Sequence, residues 1–384
     1  MSHRSEVVRY TYRLRPGVQA ECALLAEWGR CRWLWNEAVH QFRSGRKPTL
    51  AKLSRLLTEA RKTNAWLRDG WQNAQQATLR AFSSALHHSF SVKGRGRPRV
   101  KKRKGSRPSL EFSRNGFAII DGRLRLPKGT LIPVVWSREL PSEPTSVRVY
   151  QDSLGHCYAS FVVRREIEPL PEVDGAIGID WGVSTTATTT DPGYDLPHIG
   201  ARKAAAKDLA TAQRKMSRRH RPKGQAQSQG YRRARREAAR VTKRAQRRNT
   251  HEGRVWARKI VTDHQLIAIE DFRPKFLARS TMARKAADAA IGIVKRTLVE
   301  YAERAGRKVV LVQPAYTTMT CSACFARTKR LMLDERTFVC PCCGLVEERD
   351  RNAARVILAV AERGHTSVES VRHTEPPFEA SGAA

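Results

Sequence analysis

Ala176-Ile-Gly-Ile-Asp180 and Leu266-Ile-Ala-Ile-Glu270 are short apolar runs that each end on a carboxylate. Both read as buried strands; with Ser184 to Thr190 and Lys308 to Val312 as further strands and helical segments between, the region reads as an α/β layer. An acid at the C-terminal tip of a buried strand is held rigidly while its charge points out of the sheet, the usual place for a site in an open α/β fold. Taken singly, either acid reads as readily as a solvated loop residue.

Downstream, Cys321-Ser-Ala-Cys324 and Cys340-Pro-Cys-Cys343-Gly344 are two cysteine pairs at the spacing of one tetrahedral zinc site. Four thiolates close the coordination shell, so the single Zn²⁺ expected at Cys321, Cys324, Cys340 and Cys343 is structural. Cys342 falls between ligands as a bystander, and Gly344 lets the chain turn tightly behind the second knuckle. Cys22, Cys31 and Cys157 are scattered among apolar neighbours, which argues against a disulfide framework and for a reducing compartment.

Asp350 follows this ribbon, with Ala353, Ala354, Ile357 and Leu358 as an apolar helical stripe behind it. Alone it reads as a helix cap. If Asp180, Glu270 and Asp350 converge, they concentrate a negative potential that stays ionised only beside cations. Mg²⁺ is hard and oxygen-seeking, and two such ions suit phosphodiester hydrolysis, one activating the attacking water and the other stabilising the leaving oxygen. Asp271 faces the opposite side of its strand from Glu270, and Asp174 and Asp191 lie outside the strands, so none of these three is expected to bind the ions.

The 72 Lys and Arg against 36 Asp and Glu leave a formal net charge of +36, an imbalance that calls for a polyanionic partner, DNA or RNA. No run reaches the roughly 18 apolar residues that cross a bilayer, and the polar N-terminus has no signal-peptide core, so a cytoplasmic protein without a membrane partner is expected. Residues 201–259 hold 21 Lys and Arg and three acids, broken near Pro222-Lys-Gly224, and read as a basic helical hairpin. Lys93 to Lys104 holds eight basic residues and no acid, which makes Lys101, Lys102 and Arg103 candidate phosphate contacts. Gln75, Gln76 and Arg80 are candidates for base edges, because their side chains offer bidentate groove contacts. Trp28, Trp33, Trp35 and Trp66 read as core, with one of them able to stack on a base. His87, His88 and His251 lack metal spacing and read as structural.

At the N-terminus, Val7 to Leu14 reads as a half-buried strand ending before Pro16. Leu24, Trp28, Cys31, Trp35, Ala38 and Phe42 line one face of a long helix, and Leu50 to Leu57 and Trp71 to Leu86 suggest two more, a small bundle. From Leu110 to Val163 short strands punctuated by Gly and Pro suggest a barrel or sandwich that the N-terminal strand completes. Pro169, Pro171 and Asp174-Gly175 make a linker, a length of 384 residues accommodates two or three domains, and the tail after Gly364 reads as disordered.

Tyr10-Thr-Tyr-Arg-Leu-Arg-Pro16, Cys31-Arg-Trp-Leu-Trp-Asn36, Gly178-Ile-Asp180-Trp-Gly182, Ile269-Glu270-Asp271-Phe272, the cysteine ribbon and Arg349-Asp350-Arg-Asn352-Ala-Ala354 together resemble TnpB, a family of transposon-encoded RNA-guided DNA endonucleases related to type V CRISPR effectors. The resemblance spans nearly all of residues 7–362. It implies a multidomain α/β plus β-barrel protein: a split β-barrel wedge domain (1–16 and 109–170), a helical recognition lobe (17–108), and a RuvC-like ribonuclease H fold (171–314 and 347–364) with an inserted zinc ribbon (315–346), ahead of a disordered tail (365–384). It further implies Asp180, Glu270 and Asp350 as the catalytic triad, a guide RNA transcribed from the transposon end, and double-stranded target DNA cut beside a short adjacent motif. Oligomeric state stays open. Phe325 stands where the family commonly has glycine, and Glu348 where it often has Asp; neither removes an expected ligand. An RNA-guided DNA-binding regulator that does not cut, or a DNA-joining transposase, would use the same acids differently.

Overall fold

The computed structural model describes residues 5–103, 105–222, 224–272, 282–328, 331 and 335–374, and the chain divides into two compact units, Met1–Glu166 and Ile167–Ala384.

The first unit runs β1 (Ser5–Leu14), α1 (Val18–Arg43), α2 (Leu50–Thr63), α3 (Ala65–Arg68), α4 (Gln72–Ser91), then β2 (Ser109–Ser113), β3 (Ala118–Ile120), β4 (Arg123–Leu126), β5 (Thr130–Val135), β6 (Ser146–Gln151) and β7 (Cys157–Glu166). Its strands form one seven-stranded sheet in the order β2-β6-β7-β1-β5-β4-β3, with β1 antiparallel to both β7 and β5. The sheet curls around its own side chains, but no pairing of β2 with β3 closes it into a barrel among the described residues. The edge strand β2 is instead covered by α4: Asn73 accepts from the Ser113 backbone N–H at 3.1 Å and donates to its hydroxyl at 2.9 Å.

Helix α1 spends its two halves on two cores. Leu24, Trp28 and Cys31 pack with the sheet residues Tyr12, Phe112 and Phe161, while Leu34, Trp35, Ala38 and Val39 pack with Leu53 and Leu57 of α2 and Leu79 and Phe82 of α4. Trp33 and Trp66 are not core: they are 41% and 44% exposed. The buried stripe steps from Trp28 through Cys31 to Trp35 and Ala38, which turns Trp33 to the outside of the helix.

The second unit runs β8 (Ala176–Trp181), β9 (Thr185–Thr189), β10 (Leu196–Pro197), α5 (Ala201–Ala204), α6 (Ala206–Arg218), α7 (Gln229–Asp263), β11 (Leu266–Glu270), α8 (Ala283–Ala289), α9 (Ile291–Ala305), β12 (Lys308–Val312), β13 (Thr337–Val339), β14 (Val346–Glu348), α10 (Arg349–Glu362) and α11 (Val368–Thr374). The basic segments α6 and α7 pack on one another as a helical pair. Five strands form a mixed sheet in the order β10-β9-β8-β11-β12, in which β8, β11 and β12 are parallel and β9 and β10 antiparallel.

Alternation along these strands sorts their side chains between two layers. Ile177, Ile179, Ile267 and Ile269 join Trp256 and Ile260 of α7 and Val294 and Leu298 of α9 on one face. Ala268 and Val312 join Val356, Ile357 and Val360 of α10 on the other. Gly178 lies on the α10 side, and a β-carbon there would overlap the carbonyl oxygen of Ala354. Gly178→Ala should therefore push α10 off β8 and cost about 1–3 kcal/mol of stability, read as an earlier thermal unfolding of this unit. An unchanged melt would mean that the helix is free to shift.

The tail after Gly364 is not wholly without structure. Helix α11 buries Val368 and Val371 against the cluster around Val360. Two apolar residues one turn apart make too short a pattern to register as a helix in sequence. Residues 375–384 lie outside the described residues. Among the described residues no helix is long and apolar enough to cross a membrane.

Candidate active site and metal centre

Ile179 of β8 pairs with Ile269 of β11, so Asp180 and Glu270, each one residue further on, stand side by side at the C-terminal edge of adjacent parallel strands. The same alternation puts both on the face that α10 covers. Asp350 lies in the first turn of α10, where the helix dipole favours an anion. Close packing of Ala354 on Gly178 sets that turn over the strand carrying Asp180. A bidentate ion pair holds it as well: Arg351 donates to both oxygens of Asp195 at 2.9 and 2.8 Å and to the carbonyl of Thr189, the last residue of β9, at 2.5 Å.

Asp180 and Glu270 are each only 6% exposed, and that burial governs their electrostatics. Burial pushes the Asp180 carboxyl well above the usual range, and the charges of Glu270 and Asp350 push the same way. Burial likewise raises Glu270 to about 7, against the opposing effects of a hydrogen bond from Thr317 and the Lys295 ammonium. Lys295 itself donates to the Glu270 and Phe272 carbonyls and to Asp271 at 2.9, 3.4 and 3.0 Å, tying down the end of β11. Asp350 is turned toward arginine: Arg349 donates to one oxygen at 3.0 Å, and Arg336 stands 3.8 Å from the other.

These directions predict a pH dependence. A carboxyl whose folded pKa is raised favours the fold below its ordinary value, here 4.5 for Glu270, and that contribution is lost as pH rises through about 7. In chelator, the stability of the wild type should fall over this window relative to Glu270→Gln by on the order of 3 kcal/mol, and Mg²⁺ should remove the difference. Parallel pH profiles for the two proteins in chelator would refute it.

The four expected zinc ligands do converge. The sulfurs of Cys321, Cys324, Cys340 and Cys343 all lie within 4.8 Å of one another, with Cys321 to Cys343 at 3.6 Å and Cys324 to Cys340 at 3.5 Å; Cys342 is outside the group. Among the described residues this is the one His, Cys, Asp or Glu cluster gathered closely enough to hold an ion as it stands. Burial raises the Cys321 and Cys324 thiols; it acts to raise Cys340 too, but the backbone N–H groups of Cys343 and Cys342 and the Cys324 and Cys343 thiols together bring that one down to about 7. Each knuckle turns on a left-handed residue, Phe325 at φ 58° and Gly344 at φ 74°. Phe325 bears that backbone while its ring is buried beneath the Arg363 guanidinium, 4.3 Å away.

Two residues absent from the sequence candidates link this ribbon to the acids. Asn352, fully buried in α10, accepts from the Ser322 N–H at 2.9 Å and donates to the Thr320 carbonyl at 2.7 Å, clasping the chain on both sides of Cys321. Thr317, also fully buried, donates to Glu270 at 3.4 Å. The second knuckle joins in through its hairpin, since β14 leads directly into α10. A buried Asn beside Ala353 and Ala354 was the available signal for Asn352; nothing in sequence distinguishes Thr317.

The nucleic-acid candidates separate in space. Gln75 is withdrawn, because it is fully buried, its amide donating to Glu27 and the Leu67 carbonyl and its oxygen accepting from Arg61. Gln76 is half-buried and donates to Ser54 at 2.5 Å, while Arg80 is exposed. Lys101 anchors its basic run on α1: its ammonium sits 3.5 Å from the Trp35 ring centroid, burial lowers it to about 8, and its backbone bonds with Asn36. Lys102 and Arg103 are exposed.

Residues 159–280 match the family described as "Probable transposase", and residues 292–357 match the "Cas12f1-like, TNB domain". A Streptomyces pristinaespiralis protein is 30% identical over 375 residues, covering 94% of this chain and 91% of that protein. InsQ of Escherichia coli strain K12 is 26% identical over 397 residues, covering 96% and 95%. Both bear the name "Putative RNA-guided DNA endonuclease". A solved structure of CasPhi-2 (Cas12j) bound to crRNA aligns over 93% of this chain and 98% of that one at 10% identity and a TM-score of 0.41. The S. pristinaespiralis likeness extends over nearly the full length of both proteins, and the chain belongs to the TnpB family.

Proposed function

We propose that this protein is an RNA-guided DNA endonuclease that cuts at the edge formed by Asp180, Glu270 and Asp350. The observation that carries the reading is the placement of two buried strand-end carboxylates side by side beneath the helix that bears the third, at a cost to ionisation that a cation would relieve. The sheet order, with three parallel strands and an antiparallel pair, supports a RuvC-like ribonuclease H fold for residues 171–314 and 347–364, with residues 315–346 as its zinc ribbon. The curled sheet and helices of the first unit are the wedge domain (1–16 and 109–170) and recognition lobe (17–108).

The donor set is all carboxylate oxygen, which fits Mg²⁺, as four converging thiols fit one Zn²⁺. Two Mg²⁺ held by the three acids would, when bound, supply an activated water and a counter-charge for the leaving oxygen. The chain's own residues do the rest. Thr317 and Lys295 fix the rotamer and backbone of Glu270. Arg349 and Arg336 neutralise Asp350 until it takes up its ligand role. The basic α6–α7 pair and the run ending at Lys102 and Arg103 hold phosphates. The guide is an RNA from the transposon end, whose pairing with target DNA carries most of the sequence specificity beside a short adjacent motif.

The test is cleavage of a duplex matching the RNA that copurifies with the protein. Double-strand breaks with Mg²⁺ and none with chelator are expected. Binding without breakage would instead identify a regulator, and strand-joined products a transposase.

A further inference from the structure

Leu25, Gly29 and Trp33 succeed one another every four residues along α1 and share one face of the helix. That face is open. Leu25 and Trp33 are both 41% exposed, and Trp66 of α3 stands edge-on to Trp33 with ring centroids 6.2 Å apart. Leu25, Gly29 and Trp66 border a groove of about 280 Å³ together with Trp28, Arg32 and Arg103, and Trp33 stands outside it against Trp66.

The groove is held rigidly from within. Arg30 has a side chain only 14% exposed, pairs with the buried Glu27 at 3.2 Å, donates to the Trp66 carbonyl at 2.6 Å and lies 5.7 Å from that ring's centroid. Trp66 is thus fixed at the surface by a residue whose own charge is already neutralised. Arg32 is different. It lies over Trp28 at 5.7 Å, its Nη1 donates to the Lys101 carbonyl at 3.5 Å, and it meets no carboxylate among the described ion pairs. A groove that combines aromatic surface with two arginines has the chemistry of a site for one base and one phosphate.

We propose that this groove binds an unpaired nucleotide of the guide RNA, with the base against Trp66 and the phosphate on Arg32 and Arg103. The proposal rests on the RNA-guided reading above. RNA is favoured over the target DNA because folded RNA presents unstacked bases in loops and bulges, whereas a duplex keeps its base faces covered. A groove of this volume admits a splayed base and excludes a duplex.

Gly29 provides the test, since a β-carbon there meets nothing within 4 Å and the residue is in regular helix. Gly29→Leu fills the groove while raising helix propensity, so the fold is preserved, which a thermal melt verifies. Binding of the full chain to a poly(U) RNA, a poly(dT) DNA and a duplex DNA would be followed by fluorescence anisotropy across a salt series. Gly29→Leu and Trp66→Ala should each weaken poly(U) binding about tenfold, leave duplex binding unchanged and leave the salt slope intact. Wild-type affinity of both variants for poly(U) overturns the groove alone, as does a loss shared equally with duplex DNA or confined to poly(dT). A wild type that does not bind RNA overturns the groove and the RNA-guided reading together.

Discussion

Asp180→Asn should abolish DNA cutting, by roughly a thousandfold or more, while RNA-directed binding to the target survives. The substitution removes a buried carboxylate that feels the charges of Glu270 and Asp350 and leaves the strand pairing of β8 untouched. It should also make the metal-free protein more stable, because burial and two like charges disfavour the ionised Asp180 in the fold. For a domain of this size each kcal/mol gained raises the melting temperature by about 2–4 °C. The wild type should gain further stability from Mg²⁺ and the variant should not. Retained cutting removes Asp180 from the mechanism, and loss of DNA binding along with cutting would show that the residue supports the fold instead.

Cys340→Ser should release the zinc and silence cutting although every acid remains in place. Structural zinc contributes apparent binding energies of about 10–16 kcal/mol, comparable with or greater than the entire net stability of a typical domain, so an unliganded ribbon cannot hold its knuckles. The ribbon's loss reaches the acids by short routes: through Asn352 to the helix of Asp350, through Thr317 to Glu270, and through β14 into α10. Asn352→Ala separates these effects. It should keep its zinc, leave one buried donor and one buried acceptor unsatisfied at about 1–3 kcal/mol each, and require more Mg²⁺ for cutting. Zinc content by atomic absorption beside a Mg²⁺ titration of the rate distinguishes the variants. A zinc-free Cys340→Ser protein cutting at the wild-type rate would remove the ribbon from any role in placing the acids.

The site was legible where local chemistry is unambiguous. Two apolar runs ending in Asp180 and Glu270 announce buried strands with charged tips, and the paired cysteines announce one another by spacing. Legibility failed where the deciding contact is distant in the chain. Gln75 reads as a surface amide until Glu27 and Arg61 are seen to take up its side chain. Trp33 is apolar and so suggests core, although its helical phase turns it outward. Helix α11 depends on a pocket beside Val360 that no short window of sequence contains. The open seam between β2 and β3 depends on which edges Asn73 covers, and strand count alone does not specify that.

The central position of β1 also governs how the first unit can assemble on the ribosome. Its long pairing, from Ser5↔Glu166 to Arg13↔Tyr158, is with β7, while β5 pairs with only Arg13 and Leu14. At translation rates of about 5–20 residues per second, Tyr10 and Tyr12 wait on the order of ten seconds for that neighbour. Meanwhile α1 to α4 emerge and fold through contacts close in sequence, the faster class of event. The nascent protein therefore carries a solitary strand beside a helical cluster whose sheet-facing side is still uncovered, and it is this interval, more than the final fold, that exposes it to mispairing with other chains.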